Sequence, residues 1–131
     1  STLDDELENL NSVKLIKIDA EGAEPAILRG AAKTIRRHSP VIYLECGSEK
    51  LYQEEMPILK SFGYRCYWHA AFHYRRDNYF NCGNITGNTG DLNIVALPPI
   101  IHLSEKIIAK YNLQDCGNWS KIKNVFKDFH F

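Results

Sequence analysis

Residues 13–24 of this chain, VKLIKIDAEGAE, constrain its fold more than any other stretch. They begin as an apolar strand and continue into a short acidic turn, and from Pro25 onward the apolar spacing is that of a helix. A strand, a turn and a helix in this order form half of a βαβ unit. Ligands of parallel α/β sheets bind where strands end in such turns, so this corner is the first candidate for a functional site.

Apolar spacing predicts further elements along the chain. Residues 41–44, VIYL, form a continuous apolar run that ends at Glu45, which is typical of a strand covered on both faces. The remaining patterns predict strands at 13–18, 64–69 and 92–97, and helices at 25–38, 49–62, 104–111 and 118–129. Gly30 lies inside the first of these helices at a cost of about 1 kcal/mol relative to alanine, which indicates a close approach by another segment.

The order strand, helix, strand, helix, strand, strand predicts an α/β fold with a mainly parallel sheet. No clear helix joins the last two strands, so we expect them to pair antiparallel. Residues 1–98 hold all of these strands and form the first predicted unit. Residues 99–131 carry two further helical patterns and are predicted to be a helical extension.

Charge and hydropathy argue against two classes of partner. Lysine plus arginine and aspartate plus glutamate number 16 each, so the formal net charge is zero. This balance argues against strong nonspecific binding of nucleic acid, which needs a basic face. No apolar run approaches the roughly 20 residues of a membrane span. We expect neither nucleic acid nor a membrane as a partner.

The cysteines and the first residue bear on location. The four cysteines form no C-x-x-C pair and no signal-peptide pattern opens the chain, which predicts a cytoplasmic protein with reduced thiols. The first residue is Ser1 rather than methionine, so we expect the chain to be processed or to begin within a longer protein.

Acidic side chains follow the first two predicted strands. Asp19 and Glu21 come directly after the first strand, and Glu45 ends the next one. The carboxyl ends of parallel strands meet at one edge of a sheet, so Asp19 and Glu45 are expected to be near neighbours. Such carboxylates can accept a proton, hold a divalent cation, or hydrogen-bond a ligand. The simpler alternative, for Glu21 and Glu24, is favourable interaction with the dipole of the helix that follows.

The segment between the third and fourth predicted strands is rich in asparagine, glycine and aromatic residues. It spans roughly 20 residues, and a loop of that length is often functional. We predict substrate contacts from His69 at the strand end and from Asn78, Tyr79 and Asn81, whose region could stack on a ring. The alternatives are an ordinary loop anchored by its own aromatic residues and a surface for single-stranded nucleic acid.

Several motifs resemble the FkbM-type methyltransferases, which use S-adenosylmethionine. The resemblance is carried by LDDEL at residues 3–7, VKLIKIDAEGAE at 13–24, ILRGA at 27–31, VIYLE at 41–45 and NYFNCGNITGNTGDLNIVALP at 78–98. The family commonly has valine at the position of Ala20. The similarity covers roughly residues 2–98 and is more specific in its first half. No glycine-rich phosphate or dinucleotide loop is present in the chain.

The resemblance implies a Rossmann-like class I methyltransferase sheet, of which this chain would supply only the C-terminal half, from the fourth strand onward. The cofactor-binding turn of the family matches nothing here, so the cofactor-binding residues are left unassigned. An isolated half-sheet would expose an edge, through which we expect the chain to associate.

The activity that the resemblance implies is in-line transfer of a methyl group to a hydroxyl of a sugar or small metabolite. Asp19 is the first candidate for the proton acceptor, followed by Glu21 and Glu45. A magnesium-assisted version would use Asp19 and Glu45 as ligands. The competing hypotheses are another nucleotide- or sugar-processing α/β enzyme that uses the same acidic corner, and a truncated, non-catalytic lobe that acts as a binding module.

Overall fold

A computed structural model describes residues 1–125 of the chain. Its helices are α1 (Leu3–Glu6), α2 (Glu24–Gly30), α3 (Ala32–His38), α4 (Glu49–Ser61), α5 (Glu105–Lys110) and α6 (Trp119–Val125). Its strands are β1 (Leu15–Ile18), β2 (Val41–Glu45), β3 (Arg65–Phe72), β4 (Gly90–Leu97) and β5 (Gln114–Asp115). Phe126 and Phe129, which belong to the last predicted helix, lie outside the described residues. No helix in the described part of the chain is long and apolar enough to span a membrane.

The five strands form one mixed sheet in the order β1-β2-β4-β3-β5. β1 and β2 are parallel, whereas β4 is antiparallel to both β2 and β3, and β5 is antiparallel to β3. The prediction of an α/β fold is confirmed, as is antiparallel pairing of β3 with β4. The prediction of a mainly parallel sheet is wrong. β2 and β3 do run in the same direction, but they are not neighbours. β4 lies between them and pairs antiparallel with each.

One face of the sheet carries the hydrophobic core. The alternation of side chains along β1 and β2 directs Ile16, Ile18, Ile42 and Leu44 to that face, where all four are buried. They belong to one cluster with apolar residues of α2, α3, α4 and α6, chiefly Leu28, Ile35, Met56, Leu59 and Ile122. The opposite face is more open, and Leu15 there is 61% exposed. The single covered face explains why burial alternates along β2, for which covering on both faces was expected.

The predicted helix over 25–38 is divided into α2 and α3. Ala31 separates them with φ −109° and ψ 10°, outside the helical range. Gly30, the residue before this break, lies against Thr2, and a Cβ atom built on Gly30 would be 3.3 Å from the Thr2 Cβ. The close approach predicted at Gly30 is confirmed, and the N-terminal segment makes it.

The N terminus of α3 is capped by a side chain from α1. The backbone N–H groups of Lys33 and Thr34 donate to the two carboxylate oxygens of Asp4 at 2.9 and 2.7 Å. α3 has no cap from its own sequence neighbours, so a residue 29 positions earlier satisfies N–H groups that would otherwise lack partners. This contact ties the LDDEL segment to the helical layer.

Replacement of Asp4 with alanine should therefore lower the free energy of unfolding by about 1–2 kcal/mol, the usual cost of losing a helix cap. Urea unfolding followed by circular dichroism would measure the change. The matched control is Glu8→Ala, because Glu8 lies in the same segment with an exposed side chain. An equal loss of stability in both variants would contradict the capping role.

Candidate functional site

Asp19 and Glu45 lie at the carboxyl end of the parallel pair. β1 pairs with β2 in a register that places Ile18 beside Leu44, and Asp19 and Glu45 are the next residues of the two strands. Their carboxyl groups are close enough for the charge of Asp19 to act on Glu45. The prediction that these two acids are near neighbours is confirmed. That prediction depended only on β1 and β2 being parallel neighbours, and this is the parallel pair that the sheet contains.

The turn after β1 is held by Glu24. The Ala20 N–H donates to Oε1 of Glu24 at 2.8 Å, and the Ala23 N–H donates to the Ala20 carbonyl at 3.1 Å. Glu21 and Gly22 both have positive φ, at 50° and 98°. Gly22 adopts this conformation without strain, so the chain reverses tightly and Glu21 is left on an exposed corner.

The two neighbouring acids have pKa values displaced in opposite directions. The Lys17 ammonium lies 2.7 Å from Oδ2 of Asp19, and this hydrogen bond and charge hold the pKa of Asp19 below its usual value. Partial burial, together with the negative charge of Asp19, raises the pKa of Glu45. Asp19 is thus the carboxylate that stays charged, while Glu45 keeps its proton to higher pH. Carboxyl pairs separated in this way can divide acid and base roles.

A row of polar side chains continues from Glu45 across the open face of the sheet. The strand register pairs Glu45 with Asn93 on β4, and Asn93 with His69 on β3. The Tyr43 hydroxyl lies 2.9 Å from Nδ1 of His69. Burial lowers the pKa of His69 and so favours the neutral ring, in which one nitrogen donates a hydrogen bond and the other accepts one. His69 therefore shares a sheet face with Glu45.

Tyr43 and Asn93 were not identified from the sequence. Tyr43 is the third residue of the apolar run VIYL, and only the pairing of β2 with β4 and of β4 with β3 aligns it with His69. Asn93 is 6% exposed. The one signal in the sequence was a polar residue inside the otherwise apolar run of a predicted strand.

Asn78, Tyr79 and Asn81 lie in the loop between β3 and β4. The Asn78 side chain organises this loop: its Nδ2 donates to the carbonyls of Arg75 and Cys82, and its Oδ1 accepts from the Cys82 N–H. Tyr79 is 91% exposed. Among the described residues, no hydrogen bond or ion pair joins Asn78, Tyr79 or Asn81 to Asp19 or Glu45. Their role in substrate binding remains a prediction, and the polar atoms of Asn78 already have partners within the loop.

A cavity of about 330 Å³ opens beside Glu45, and Asp19 is not among the residues that line it. Its wall is formed by the turn after β1, the end of β2 and the first turns of α4, and it includes Glu21, Glu24, Glu45 and Glu54. The structure holds no group of three or more His, Cys, Asp or Glu residues that could ligate a metal ion, in the part of the chain that it describes. Asp19 and Glu45 are therefore not joined by a third His, Cys, Asp or Glu ligand among the described residues.

A second carboxyl group, Glu55 of α4, is enclosed in the core behind this cavity. Glu55 is 0% exposed, and neither of its oxygens has a hydrogen-bond partner. The Cys46 thiol is nearby, and so is the charge of Glu24. Burial raises the pKa of Glu55 to about 7. The run Glu54–Glu55 looks like a solvated helix face in the sequence, so this buried acid was not predicted.

Glu55 should make stability depend on pH. Its pKa is higher in the folded chain, so its contribution is complete below the ordinary value of 4.5 and is lost as the pH rises to about 7. The loss amounts to roughly 3 kcal/mol, since one pKa unit corresponds to about 1.4 kcal/mol. Urea unfolding between pH 4 and pH 8 should show that Glu55→Gln removes this part of the dependence.

The exposed neighbour Glu54 supplies the control for that experiment. The difference in stability between wild type and Glu55→Gln should change between pH 4 and pH 8, whereas the difference between wild type and Glu54→Gln should stay constant. A Glu55→Gln difference that is the same at both pH values would show that Glu55 is not a buried titrating group.

Comparison with known proteins bears on the first half of the chain. A family model described as the methyltransferase FkbM domain matches residues 1–66. The match is shorter than the resemblance over residues 2–98, and it ends just inside β3. It includes Asp19, Glu21 and Glu45. Neither the comparison with curated proteins nor the comparison with solved structures gave a match.

Proposed function

This chain belongs to the FkbM methyltransferase domain family, and we propose on this basis that it takes part in methyl transfer from S-adenosylmethionine to a hydroxyl group. The proposed acceptor is a sugar or another small metabolite. The observation that carries the proposal is the position of Asp19, a charged carboxylate at the carboxyl end of two parallel strands, inside the residues that the family matches.

The acidic residues at the carboxyl end of β1 and β2 fit the positively charged part of such a cofactor. When bound, S-adenosylmethionine supplies a methyl group on a positively charged sulfur. Carboxylates attract a positive charge and accept hydrogen bonds from hydroxyl groups, and the wall of the cavity contains four glutamates. Asp19, Glu21 and Glu45 are the described residues that we assign to this end of the site.

Asp19 is proposed to accept the proton of the hydroxyl. The Lys17 ammonium, 2.7 Å away, keeps Asp19 charged, so an acceptor hydroxyl can donate a hydrogen bond to it. With S-adenosylmethionine bound, the hydroxyl oxygen would take the methyl group, and the electron pair of the broken carbon–sulfur bond would stay on sulfur. The hydroxyl proton passes to Asp19 and from there to water. Alignment of the hydroxyl with the methyl group is the main contribution of the site.

We propose that the remaining contacts to the cofactor come from residues outside 1–125. The described residues contain no glycine-rich turn of the kind that binds nucleotide phosphates and cofactors in many α/β folds. The outer edge of β1 has no strand partner among the described residues, which makes it the natural place for further strands to add. With such strands the sheet would become a Rossmann-like methyltransferase sheet, with this chain as its C-terminal half.

Calorimetry with S-adenosylmethionine tests the proposal. The titration is performed on residues 1–131 and on the longest natural polypeptide that contains them. We expect heat of binding with the longer polypeptide alone if this chain contacts the methyl acceptor and the rest of the domain holds most of the cofactor. Absence of binding by either polypeptide would overturn the methyltransferase proposal and favour a non-catalytic lobe.

A further inference from the structure

A hydrogen bond between Tyr43 and His69 crosses the open face of the sheet. The two residues lie on β2 and β3, which are separated by β4, and the Tyr43 hydroxyl is 2.9 Å from Nδ1 of His69. Asn93 of β4 lies directly beside His69 in the strand register. We call these three side chains the polar bridge. They form a group of hydrogen-bonding residues that the proposed proton transfer to Asp19 does not use.

The polar bridge has two hydrogen-bonding atoms that a ligand can reach. Asn93 donates through Nδ2 to the Asp91 carbonyl at 3.1 Å, and within residues 1–125 no hydrogen bond reaches its Oδ1 or Nε2 of His69. The enclosed side-chain atoms without partners in this part of the chain belong to Glu24, Glu55 and Trp68. Oδ1 of Asn93 and Nε2 of His69 therefore keep accessible surface.

These two atoms fit hydroxyl groups. Oδ1 of Asn93 accepts a hydrogen bond. Burial favours the neutral ring of His69 by lowering its pKa. In that ring Nε2 donates when Tyr43 donates to Nδ1, and it accepts when Nδ1 donates to Tyr43. A hydroxyl both donates and accepts, so it can bond His69 in either tautomer, whereas a carboxylate or an ammonium can bond only one. The polar bridge therefore indicates an uncharged ligand with two hydroxyl groups.

An apolar line runs next to the polar bridge. The register places Tyr43, Val95 and Tyr67 side by side across β2, β4 and β3, and all three are half-buried. Sites for organic ligands commonly combine aromatic and apolar surface with a few polar groups that fix the orientation of the ligand. A sugar ring has C–H groups on its faces and hydroxyls at its edge, so it can cover this line and bond the polar bridge together.

The polar bridge is too far from Asp19 for one sugar ring to contact both. Asp19 follows the last paired residue of β1, and Asn93 lies two strands away, beyond Glu45. Neighbouring strands are about 4.8 Å apart and their side chains stand perpendicular to the sheet, so Asp19 and Asn93 are separated by roughly 10 Å. Hydroxyls on opposite sides of a six-membered ring are only roughly 5 Å apart, since its bonds are near 1.5 Å. A saccharide that reaches both residues therefore needs a second ring.

We propose that the polar bridge binds a second sugar ring of the methyl acceptor, which is then a disaccharide or a longer saccharide, while a hydroxyl of the first ring reaches Asp19. The proposal rests on the proposed function and extends it, because it names the size class of the acceptor and the residues that select it. Asn93 and His69 contact the second ring. Tyr43 is a positioning residue that orients the ring of His69.

The dependence of binding on saccharide length tests the proposal. Methyl glucoside, methyl mannoside and methyl galactoside are each compared with a disaccharide of the same sugar. Binding is measured by NMR titration of the longest natural polypeptide that contains the chain, without S-adenosylmethionine. At least one disaccharide should bind about tenfold more tightly than its own monosaccharide, as expected for two added hydrogen bonds. Equal binding within every pair, or no binding of any probe, would overturn the proposal.

A histidine variant locates the second ring. His69→Phe should weaken binding of that disaccharide about three- to tenfold, because one hydrogen bond is lost, and should leave binding of the monosaccharide unchanged. His102→Phe is the matched control, since it makes the same replacement at an exposed position, and it should change neither. Equal weakening of the monosaccharide and the disaccharide by His69→Phe would contradict a separate site for the second ring.

Tyr43→Phe covers the case in which His69→Phe fails to fold, because it keeps the aromatic ring and removes only the hydroxyl that bonds His69. It should weaken disaccharide binding about two- to fivefold. It should also shift the imidazole nitrogen resonances of His69, whereas Tyr111→Phe, at an exposed tyrosine of the chain, should do neither. Unchanged disaccharide binding in Tyr43→Phe and in a folded His69→Phe would contradict the assignment.

Two further measurements separate the source of the hydroxyl groups and the proposed function. The ribose of S-adenosylmethionine also carries two hydroxyls. If the cofactor displaces the disaccharide and His69→Phe weakens binding of the cofactor as well, the polar bridge holds the ribose and the acceptor assignment fails. Methyl transfer to monosaccharides and disaccharides with equal kcat/KM would overturn the second-ring site alone. Disaccharide binding that depends on His69, without methyl transfer to any acceptor, would overturn the proposed function alone.

Discussion

Asp19→Asn should lower the rate of methyl transfer by about 10²–10⁴-fold, the usual contribution of a positioned general base. Asparagine keeps the size of the side chain and its hydrogen-bonding oxygen but cannot accept the hydroxyl proton. The rate is measured as transfer of radiolabelled methyl groups to the acceptor by the longest natural polypeptide that contains the chain. The KM for S-adenosylmethionine should change little, because the variant removes a proton acceptor and leaves the cavity intact.

Glu105→Gln is the control for this experiment, since Glu105 is an exposed acid on α5 and lies outside the proposed site. Its effect should be within about threefold, as expected for a solvated charge. The pH profile adds a second readout. Because Lys17 lowers the pKa of Asp19, the acidic limb of the wild-type profile should lie at low pH. Full turnover by Asp19→Asn would show that Asp19 is not the base.

Leu44→Ala should destabilise the fold by about 3–5 kcal/mol, because it removes a fully enclosed side chain and leaves a cavity. Leu44 is 0% exposed and lies in β2, where it pairs with Ile94 of β4 and belongs to the core cluster. The loss is a large part of the total stability of a domain of this size. Urea unfolding at a fixed pH would measure it.

Leu15→Ala is the control for the core variant. Leu15 is in the neighbouring strand β1 but on the open face, and it is 61% exposed, so its replacement should change stability by no more than about 0.5 kcal/mol. Similar losses in the two variants would mean that both faces of the sheet are covered in solution. They would also contradict the single-sided core.

Local elements were predictable where the chain itself determines them. The apolar runs of β1 and β2 and the caps of the short helices depend on neighbouring residues; Thr2 and Ser104, for example, accept hydrogen bonds from the N–H groups three residues later. The division of α2 from α3 was not predictable, because Gly30 and Asp4 act through contacts between segments about 30 residues apart.

The order of the strands could not be predicted from the sequence patterns either. The apolar residues of β4 do not indicate that it lies between β2 and β3, because that position depends on how the three strands pair. For this reason Asp19 and Glu45 could be placed together from one parallel pair, whereas the row from Glu45 through Asn93 to His69 required the register of two antiparallel pairs.

The buried acids show a further limit of sequence reasoning. Glu24 at the start of a helix is typical of favourable interaction with the helix dipole, and it also holds the turn through Ala20. Its second oxygen and both oxygens of Glu55 are buried and unpartnered where α2 and α4 are in contact. The sequence of neither helix alone indicates this burial.

The pKa of the Glu45 carboxyl group, followed by carbon NMR in the wild type and in Asp19→Asn, tests the acidic corner most directly. If the two acids meet at the carboxyl end of β1 and β2, Glu45 titrates above 4.5 in the wild type. Its pKa then falls when Asp19 loses its charge. An ordinary pKa for Glu45 that Asp19→Asn leaves unchanged would mean that the two carboxyl groups do not share one site.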